Sequence, residues 1–267
     1  MNSGPSIEVQ SLREAVSTAE WRTRVDLAAC YRLIARDGLT DLIYNHITAR
    51  VPDAPGHFLI NPFGFLYEEI TASCFYKIDL DGHVVLRPRF APGADFGMNY
   101  TGYVIHSAVH GARHDVGCVI HTHSRAGVAV SAMECGLLPL NQTSLRFYNR
   151  IGYHDFEGPA LNLEERQRLV RDLGEAEALV LRNHGLLACG RSVAEAYNVM
   201  HFLEMACRYQ VSALTGGTVR RVPDAVAEQT ARGFAAARFA AENPFDGRLE
   251  WAALTRALDR IDPSYAT

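Results

Sequence analysis

The sequence predicts an α/β fold in which a mostly antiparallel sheet carries helices on both faces. Short segments typical of β-strands follow one another with tight turns between them, as hairpins do. Helical segments, with apolar residues three or four positions apart, lie between and after them. This order fits layered hairpins better than a regular strand–helix–strand alternation. No G-x-G-x-x-G, Walker or G-x-S-x-G motif occurs, so nothing supports a dinucleotide, nucleoside triphosphate or common hydrolase site.

The composition indicates an ordinary globular protein without nucleic-acid or membrane partners. The chain has 267 residues, of which 48% are hydrophobic and 21% charged, and its net charge is −4, which argues against a general nucleic-acid binder. No apolar stretch approaches the roughly 18 residues that span a bilayer, and the first residues do not resemble a secretory signal. We therefore expect a cytoplasmic location, with the six dispersed cysteines as mostly buried free thiols.

The first hundred residues predict an arm, one helix and four strands. We expect residues 1–18 to form a partly ordered arm, followed by a helix over 20–36 that ends at Asp37-Gly38. Residues 88–99 contain two prolines and two glycines and are interpreted as a loop. Strands are expected at residues 43–51, 57–61, 75–79 and 83–86, the last two as a hairpin around Leu80-Asp81-Gly82.

The rest of the chain is mainly helical. A helix over 101–114 is expected to bury a stripe of Ile105, Ala108, Val109 and Ala112. His106 and His110 share another face of it, which we expect to be solvated or hydrogen-bonded rather than metal-binding. Further helices are expected at 125–135, before Gly136; at 162–173, with Asn162 as N-cap and Glu165 completing a capping box; from Ser192-Val-Ala-Glu195 to about 215; and at 223–241 and 247–260.

Three histidines predict a metal site. His121 and His123 end an apolar strand at residues 116–124, and residues at i and i+2 of a strand point the same way. His184 lies in an Asn-His-Gly turn between two apolar runs within residues 178–190. Three neutral imidazoles with an open fourth position form a catalytic zinc site. The alternative is a set of hydrogen-bonded polar side chains at the strand ends, and the sequence does not prove that His184 meets the pair.

Several stretches together resemble the class II aldolase/adducin family. They are Gly102-Tyr-Val-Ile-His-Ser-Ala-Val-His110, His114-Asp-Val-Gly-Cys-Val-Ile-His-Thr-His123, Ala129-Val-Ser-Ala-Met133, Cys135-Gly-Leu-Leu-Pro139, Tyr153-His-Asp155, Leu181-Arg-Asn-His-Gly-Leu186 and Ser192-Val-Ala-Glu-Ala196. The resemblance is greatest to the adducin head and its bacterial relatives. It assigns residues 19–217 to the family domain, after the arm, and leaves 218–267 as a helical extension packed on the same domain or on a neighbouring subunit.

The resemblance implies a three-layer α/β/α fold and a homo-oligomer, a tetramer or dimer, often with sites between subunits. In the enzymes three histidines hold a divalent ion, usually Zn²⁺, with Mn²⁺ or Co²⁺ as alternatives, and the ion polarises the substrate. Motif by motif, these ligands match His121, His123 and His184. A carboxylate nineteen residues before the first ligand acts as acid/base in the enzymes, and that position is Gly102 here. Glycine cannot transfer a proton, so the usual agent is missing.

The phosphate cradle of the enzymes is also altered. Asn45, Gly64 and Thr101 match its donor positions and are retained as substrate-binding candidates. Phe63 and Tyr100 add bulk where the enzymes have small hydroxyl groups. The resemblance therefore argues against a phosphorylated sugar as substrate.

Two functions remain open from the sequence. The first is a metal-dependent lyase that performs retro-aldol cleavage or decarboxylation on a small non-phosphorylated oxo- or hydroxy-acid, with Tyr103, Tyr148 or Glu157 supplying the proton. The second is an adducin-like, non-catalytic binding or scaffold protein with a vestigial metal site. The three histidines favour the enzyme, whereas Gly102 favours the scaffold.

Overall fold

The computed structural model describes residues 7–94, 96–158, 164–238, 240 and 245–267. Its strands are β1 (Val9–Gln10), β2 (His46–Arg50), β3 (His57–Ile60), β4 (Tyr76–Asp79), β5 (Val84–Leu86), β6 (Arg89–Phe90), β7 (Cys118–Thr122), β8 (Gly152–His154), β9 (Ala178–Leu181) and β10 (Gly185–Gly190). Eight of them form one sheet in the order β5-β4-β3-β2-β7-β10-β9-β8, and β1 pairs with β6. All neighbours in the large sheet are antiparallel except β8 and β9, so the predicted sheet type is confirmed.

Helices cover both faces of this sheet. They are α1 (Thr18–Arg36), α2 (Tyr100–Ala112), α3 (Arg125–Ser131), α4 (Gln142–Leu145), α5 (Glu165–Leu173), α6 (Val193–Thr215), α7 (Asp224–Arg238) and α8 (Arg248–Asp259). The larger core joins one sheet face to α1 and α6, and a second core joins the other face to α2 and α5. The three-layer α/β/α arrangement is therefore confirmed.

Strand β7 is the centre of the sheet, between β2 and β10, and all five of its residues are buried. Its side chains alternate between the two cores: Ile120 lies with the α1–α6 side and Val119 with the α2–α5 side. Thr122 follows Ile120, and its hydroxyl contacts Met200 of α6. By the same alternation His121 points towards the α2 layer. This alternation therefore determines that helix α2 packs against the sheet face on which His121 lies.

Three expectations about single elements are wrong. The predicted loop over 88–99 contains β6, which pairs with β1 and so ties down the end of the N-terminal arm. Helix α3 ends at Ser131 rather than near residue 135, although Gly136 has the left-handed φ of +59° expected after a helix end. On α2, Ala112 is exposed. The expected Asn162 cap lies outside the described residues.

The histidines of α2 are hydrogen-bonded rather than solvated. His106 and His110 are both 0% exposed, because α2 packs this face against β2. The hydroxyl of Thr48 on β2 lies 2.8 Å from His106 Nδ1 and 2.9 Å from His110 Nε2. The sequence left a solvated or a hydrogen-bonded environment open for these two histidines, and the structure shows the hydrogen-bonded one.

The C-terminal helices pack on their own chain. The Trp251 indole of α8 donates to Asp26 of α1 at 3.1 Å, and Arg32 of α1 pairs with Asp262 at 3.0 Å. Glu228 of α7 pairs with Arg150 at 3.0 Å. All six cysteines lie in the described part of the chain and are free, and only Cys135 is exposed. Within that part, no helix has the length and apolar character needed to cross a membrane.

Candidate metal centre

The antiparallel pairing of β7 with β10 brings the three histidines together. His121 is on β7, His123 follows directly after it, and His184 lies in the turn between β9 and β10. The register places Leu186 opposite Thr122, so the start of β10 lies beside the end of β7. A Cβ atom on Gly185 would lie 2.4 Å from the Thr122 carbonyl oxygen. Glycine is therefore required there for β10 to approach so closely.

The turn conformation aims His184 at the pair. Asn183 has a φ of +55°, in the left-handed region that asparagine tolerates better than most residues. The His184 backbone N–H donates to the Leu181 carbonyl at 3.1 Å and closes the turn. His184 Nε2 lies 2.9 Å from His123 Nε2, which in turn lies 2.9 Å from His121 Nε2. The predicted trio is thus assembled, and its ligand atoms all lie within 4.8 Å of one another.

The hydrogen bonds of the outer ring nitrogens decide the tautomers of two of these histidines. His121 Nδ1 lies 2.9 Å from the Leu186 carbonyl, which can only accept, so Nδ1 carries the proton. His123 Nδ1 lies 2.9 Å from a carboxylate oxygen of Asp41 and is assigned in the same way. In the neutral rings both Nε2 atoms are then bare lone pairs facing each other. Converging ring nitrogens of this kind are the arrangement that a metal cation satisfies, and three imidazole nitrogens suit Zn²⁺, Co²⁺ or Mn²⁺.

Burial keeps two of the three rings unprotonated near neutral pH. Burial, with the neighbouring His184 as the next cause, holds the pKa of His121 well below its ordinary value. Burial and the neighbouring His123 lower the pKa of His184 to about 4. Both rings are therefore neutral at pH 7, which is the state that binds a metal. The residues present fit a divalent ion.

Two of the three substrate-binding candidates, Asn45 and Thr101, lie around the N-terminus of α2. The Asn99 side chain caps this helix, accepting from the Gly102 N–H at 3.1 Å and from the Thr101 hydroxyl at 2.9 Å. It also donates to the Asn45 carbonyl at 3.4 Å, so Asn45 and Thr101 are neighbours through Asn99. Asn45 Nδ2 is buried and has no hydrogen-bond partner among the residues described. Gly64 has a φ of +102°.

The three proton-transfer candidates lie in different places. The Tyr103 hydroxyl donates to the Leu80 carbonyl at 3.4 Å, at the turn between β4 and β5. Tyr148 lines a cavity with Arg221 and Asp224. Glu157 lines a small cavity together with His184 and forms an ion pair with Arg168. Of the three, only Glu157 shares a cavity with a metal-site histidine in the described part of the chain.

Larger openings occur away from the histidines. A cavity of about 420 Å³ lies beside α7, lined by Arg150, Phe234 and Phe245 among others, and it shares no lining residue with the histidine trio. A second cavity, of about 470 Å³, is lined by Tyr148, Arg221 and Asp224 among others. The trio is the stronger candidate because its three ring nitrogens converge as metal ligands do, whereas the arginines of the cavity beside α7 are already paired with carboxylates.

Two residues of the centre were missed in the sequence. Asp41 binds His123, and His46 packs its ring on that of His121, with centroids 4.9 Å apart and an angle of 36° between the ring planes. Asp41 has no sequence signal, because it lies outside any regular element. His46 had one: it stands on a predicted strand next to the candidate Asn45. Its pairing with His121 across β2 and β7 depends on strand order, which the sequence does not state.

A protein-family model described as the class II aldolase and adducin N-terminal domain matches residues 25–211. The chain belongs to this family. A Pseudomonas aeruginosa protein provisionally named as a class 2 aldolase is 48% identical over 251 residues, which cover 94% of both chains. Rat alpha-adducin is 43% identical over 219 residues, which cover 80% of this chain but only 29% of the adducin. The resemblance noted in the sequence is thereby confirmed.

Solved structures of the family share the fold. An aldolase II superfamily protein from Pseudomonas syringae is 47% identical and superposes with a TM-score of 0.88, covering 97% of this chain and 100% of that one. L-fuculose 1-phosphate aldolase from Glaciozyma antarctica PI12 is 24% identical, with a TM-score of 0.77 over 92% of each chain. The second likeness supports the fold alone.

Proposed function

We propose that this family member is a divalent-metal lyase for a small, non-phosphorylated oxo- or hydroxy-acid, acting by retro-aldol cleavage or decarboxylation. The observation that supports it most is the convergence of the Nε2 atoms of His121, His123 and His184. These three side chains would hold Zn²⁺, Mn²⁺ or Co²⁺. When bound, such an ion stabilises negative charge that develops on a substrate oxygen next to a carbonyl.

The chain's own residues would bind the acid. The N-terminus of α2 is the positive end of the helix dipole, which favours an anionic group. The unpartnered amide of Asn45 and the backbone of Gly64 are the donors proposed beside it. The Thr101 hydroxyl donates to Asn99, so it is proposed to bind the substrate through its oxygen, as an acceptor. Phe63 and Tyr100, 43% and 47% exposed, crowd the same region. This arrangement favours a carboxylate over a larger phosphate.

The proton donor or acceptor is proposed to be Glu157, with Tyr103 and Tyr148 as the alternatives. Glu157 shares a cavity with His184. Its ion pair and hydrogen bond with Arg168 lower the pKa of its carboxyl group, which favours the base form. A positioned acid/base typically contributes about 10²–10⁴-fold to the rate. Glu228 on α7, whose carboxylate also pairs with an arginine, is a matched control.

The proposal is tested by screening oxo- and hydroxy-acids with protein loaded with Zn²⁺, Mn²⁺ or Co²⁺. We expect carbon–carbon cleavage or CO₂ release with at least one acid, lost in His184→Ala. Glu157→Gln should lower kcat by about 10²-fold or more, whereas Glu228→Gln should not. Equal kcat in both glutamine variants would remove Glu157 and leave the two tyrosines to be tested as phenylalanine variants. Metal-loaded protein that turns over none of these acids would contradict the enzyme.

The second candidate is an adducin-like binding or scaffold protein that keeps the metal for structure. Gly102 supports it, because the position that carries a carboxylate in the enzymes has no side chain. The 43% identity to alpha-adducin over 80% of this chain supports it as well. This candidate predicts bound metal that raises the melting temperature but no turnover in the same screen. A cytoplasmic location is proposed for either function.

A further inference from the structure

The first turn of α2 and strand β2 fit together at one point, Gly102 against His46. A Cβ atom on Gly102 would lie 2.7 Å from His46 Cγ and 2.9 Å from His46 Cβ. These are the base of the histidine side chain rather than its mobile end, so the ring could not swing aside without moving the strand. Any residue larger than glycine at position 102 is therefore incompatible with His46 in its present place.

The place of His46 is fixed from the strand side. His46 pairs with His121 across β2 and β7, so their side chains project from the same face of the sheet. The two rings pack with centroids 4.9 Å apart. The other side of the His46 ring meets His106, whose Nε2 lies 3.0 Å from His46 Nδ1. His46 thus lies wedged between a metal-site histidine and helix α2.

A buried series of hydrogen bonds keeps the His46 ring in this position. It runs from His46 to His106, from His106 to the Thr48 hydroxyl, and from there to His110. All four residues are 2% exposed or less. The chain ends at His110 inside the protein, so it is a scaffold that fixes the ring rather than a route for protons to solvent.

We propose that His46 is a positioning residue of the metal centre. The absence of a side chain at Gly102 leaves the space that the His46 ring occupies. His121 would then be oriented by two contacts: the Leu186 carbonyl on its Nδ1 and the His46 ring against its face. Groups that orient a metal ligand in this way commonly change metal affinity about 10–100-fold when they are altered. The inference rests on the proposed function, because it needs a metal at the trio.

Helix α2 offers a matched pair of glycines for the test. Gly102→Ala places a methyl group against His46, whereas Gly111→Ala, on the same helix, meets nothing within 4 Å. We expect Gly102→Ala to weaken Co²⁺ binding about tenfold or more and to change the visible absorption of bound Co²⁺. Gly111→Ala should leave both unchanged. Identical Co²⁺ affinity and spectrum in the two variants would overturn the inference.

A second variant covers the case in which Gly102→Ala does not fold. His46→Asn keeps a short polar group near His106 but removes the ring that packs on His121. We expect folded protein with weaker Co²⁺ binding and an altered Co²⁺ spectrum, and an unchanged spectrum and affinity would again overturn the inference. If the unmodified protein itself does not bind Co²⁺ through the three histidines, the proposed function fails, and this inference with it.

Discussion

Asp41 accepts a hydrogen bond from Nδ1 of His123 at 2.9 Å and thereby fixes which nitrogen of that ring faces the proposed metal. The carboxylate is half exposed, 48% by side chain, so its effect as an ion pair is screened by solvent. The Asp41 carboxylate therefore acts mainly by orienting the His123 ring and by setting its tautomer. An asparagine has the same shape but presents an oxygen or an NH₂ group equally well.

We predict that Asp41→Asn weakens Zn²⁺ or Co²⁺ binding about 10–100-fold while the fold is retained. Competition with a chromophoric chelator would measure the affinity. Asp53→Asn, at an exposed position in the turn between β2 and β3, is the control and should leave affinity unchanged. Equal affinities in the two variants would show that Asp41 does not orient His123.

The metal content itself is the second prediction. Protein purified without chelator should contain close to one divalent ion per chain, since one trio of histidines is assembled. His184→Ala should lose most of it, because only two imidazoles remain and a two-ligand site binds weakly. Elemental analysis checks both values. Full metal occupancy in His184→Ala would exclude His184 from the site.

Acid should destabilise the metal-free protein steeply. Burial lowers the pKa of His110 to about 3, below its ordinary value of 6.5, and holds those of His46, His106 and His121 well below theirs. At a pH between the lowered pKa of the folded protein and the ordinary value of 6.5, these histidines bind protons in the unfolded chain but not in the folded protein. The free energy of unfolding therefore decreases as pH falls from about 6.5 towards 3, by up to about 1.4 kcal/mol per pH unit for each such histidine.

Urea unfolding at several pH values would measure this slope. Bound metal should oppose the loss, since it holds the trio neutral. A stability that does not vary between pH 6.5 and 4 in the metal-free protein would contradict the buried neutral histidines.

A homo-oligomer is the fourth prediction, and the structure supports it by exposed apolar surface. The apolar face of α6 is buried within its own chain and so offers no broad surface to a neighbouring subunit. The remaining support is exposed apolar surface near the metal centre, where Leu42 and Tyr44 are 67% and 52% exposed and Phe63 and Tyr100 more than 40%. Light scattering at micromolar concentration should give a multiple of 29.5 kDa. A mass near 29.5 kDa would contradict the prediction.

Phosphorylated sugars should not be substrates at useful rates. Position 102 offers no acid/base group, and Phe63 and Tyr100 crowd the donors that a phosphate would need. Fuculose-, rhamnulose- and ribulose-phosphates, assayed with metal-loaded protein, should show no turnover above the metal-free control. Gly102→Glu should not restore activity, because its Cβ atom meets His46. Rapid cleavage by the unmodified chain would show that the proton-transfer residue lies elsewhere.

The sequence alone predicted most of the elements and the three histidines that we propose as metal ligands. Apolar period and capping residues predicted most strands and helices, because these signals are local to each segment. His121 and His123 were found together because alternation along one strand puts them on one side. His184 was added by its turn, where Asn183 and Gly185 have the backbone freedom that the conformation requires.

Only the tertiary structure decided what surrounds those ligands. The pairing of β2 with β7 sets His46 against His121, 75 positions apart, and no local pattern reports a strand neighbour. The meaning of Gly102 changed for the same reason: in the sequence it was a missing carboxylate, whereas in the fold it is the space that His46 needs. Packing between distant segments, which depends on the whole sheet order, determined both.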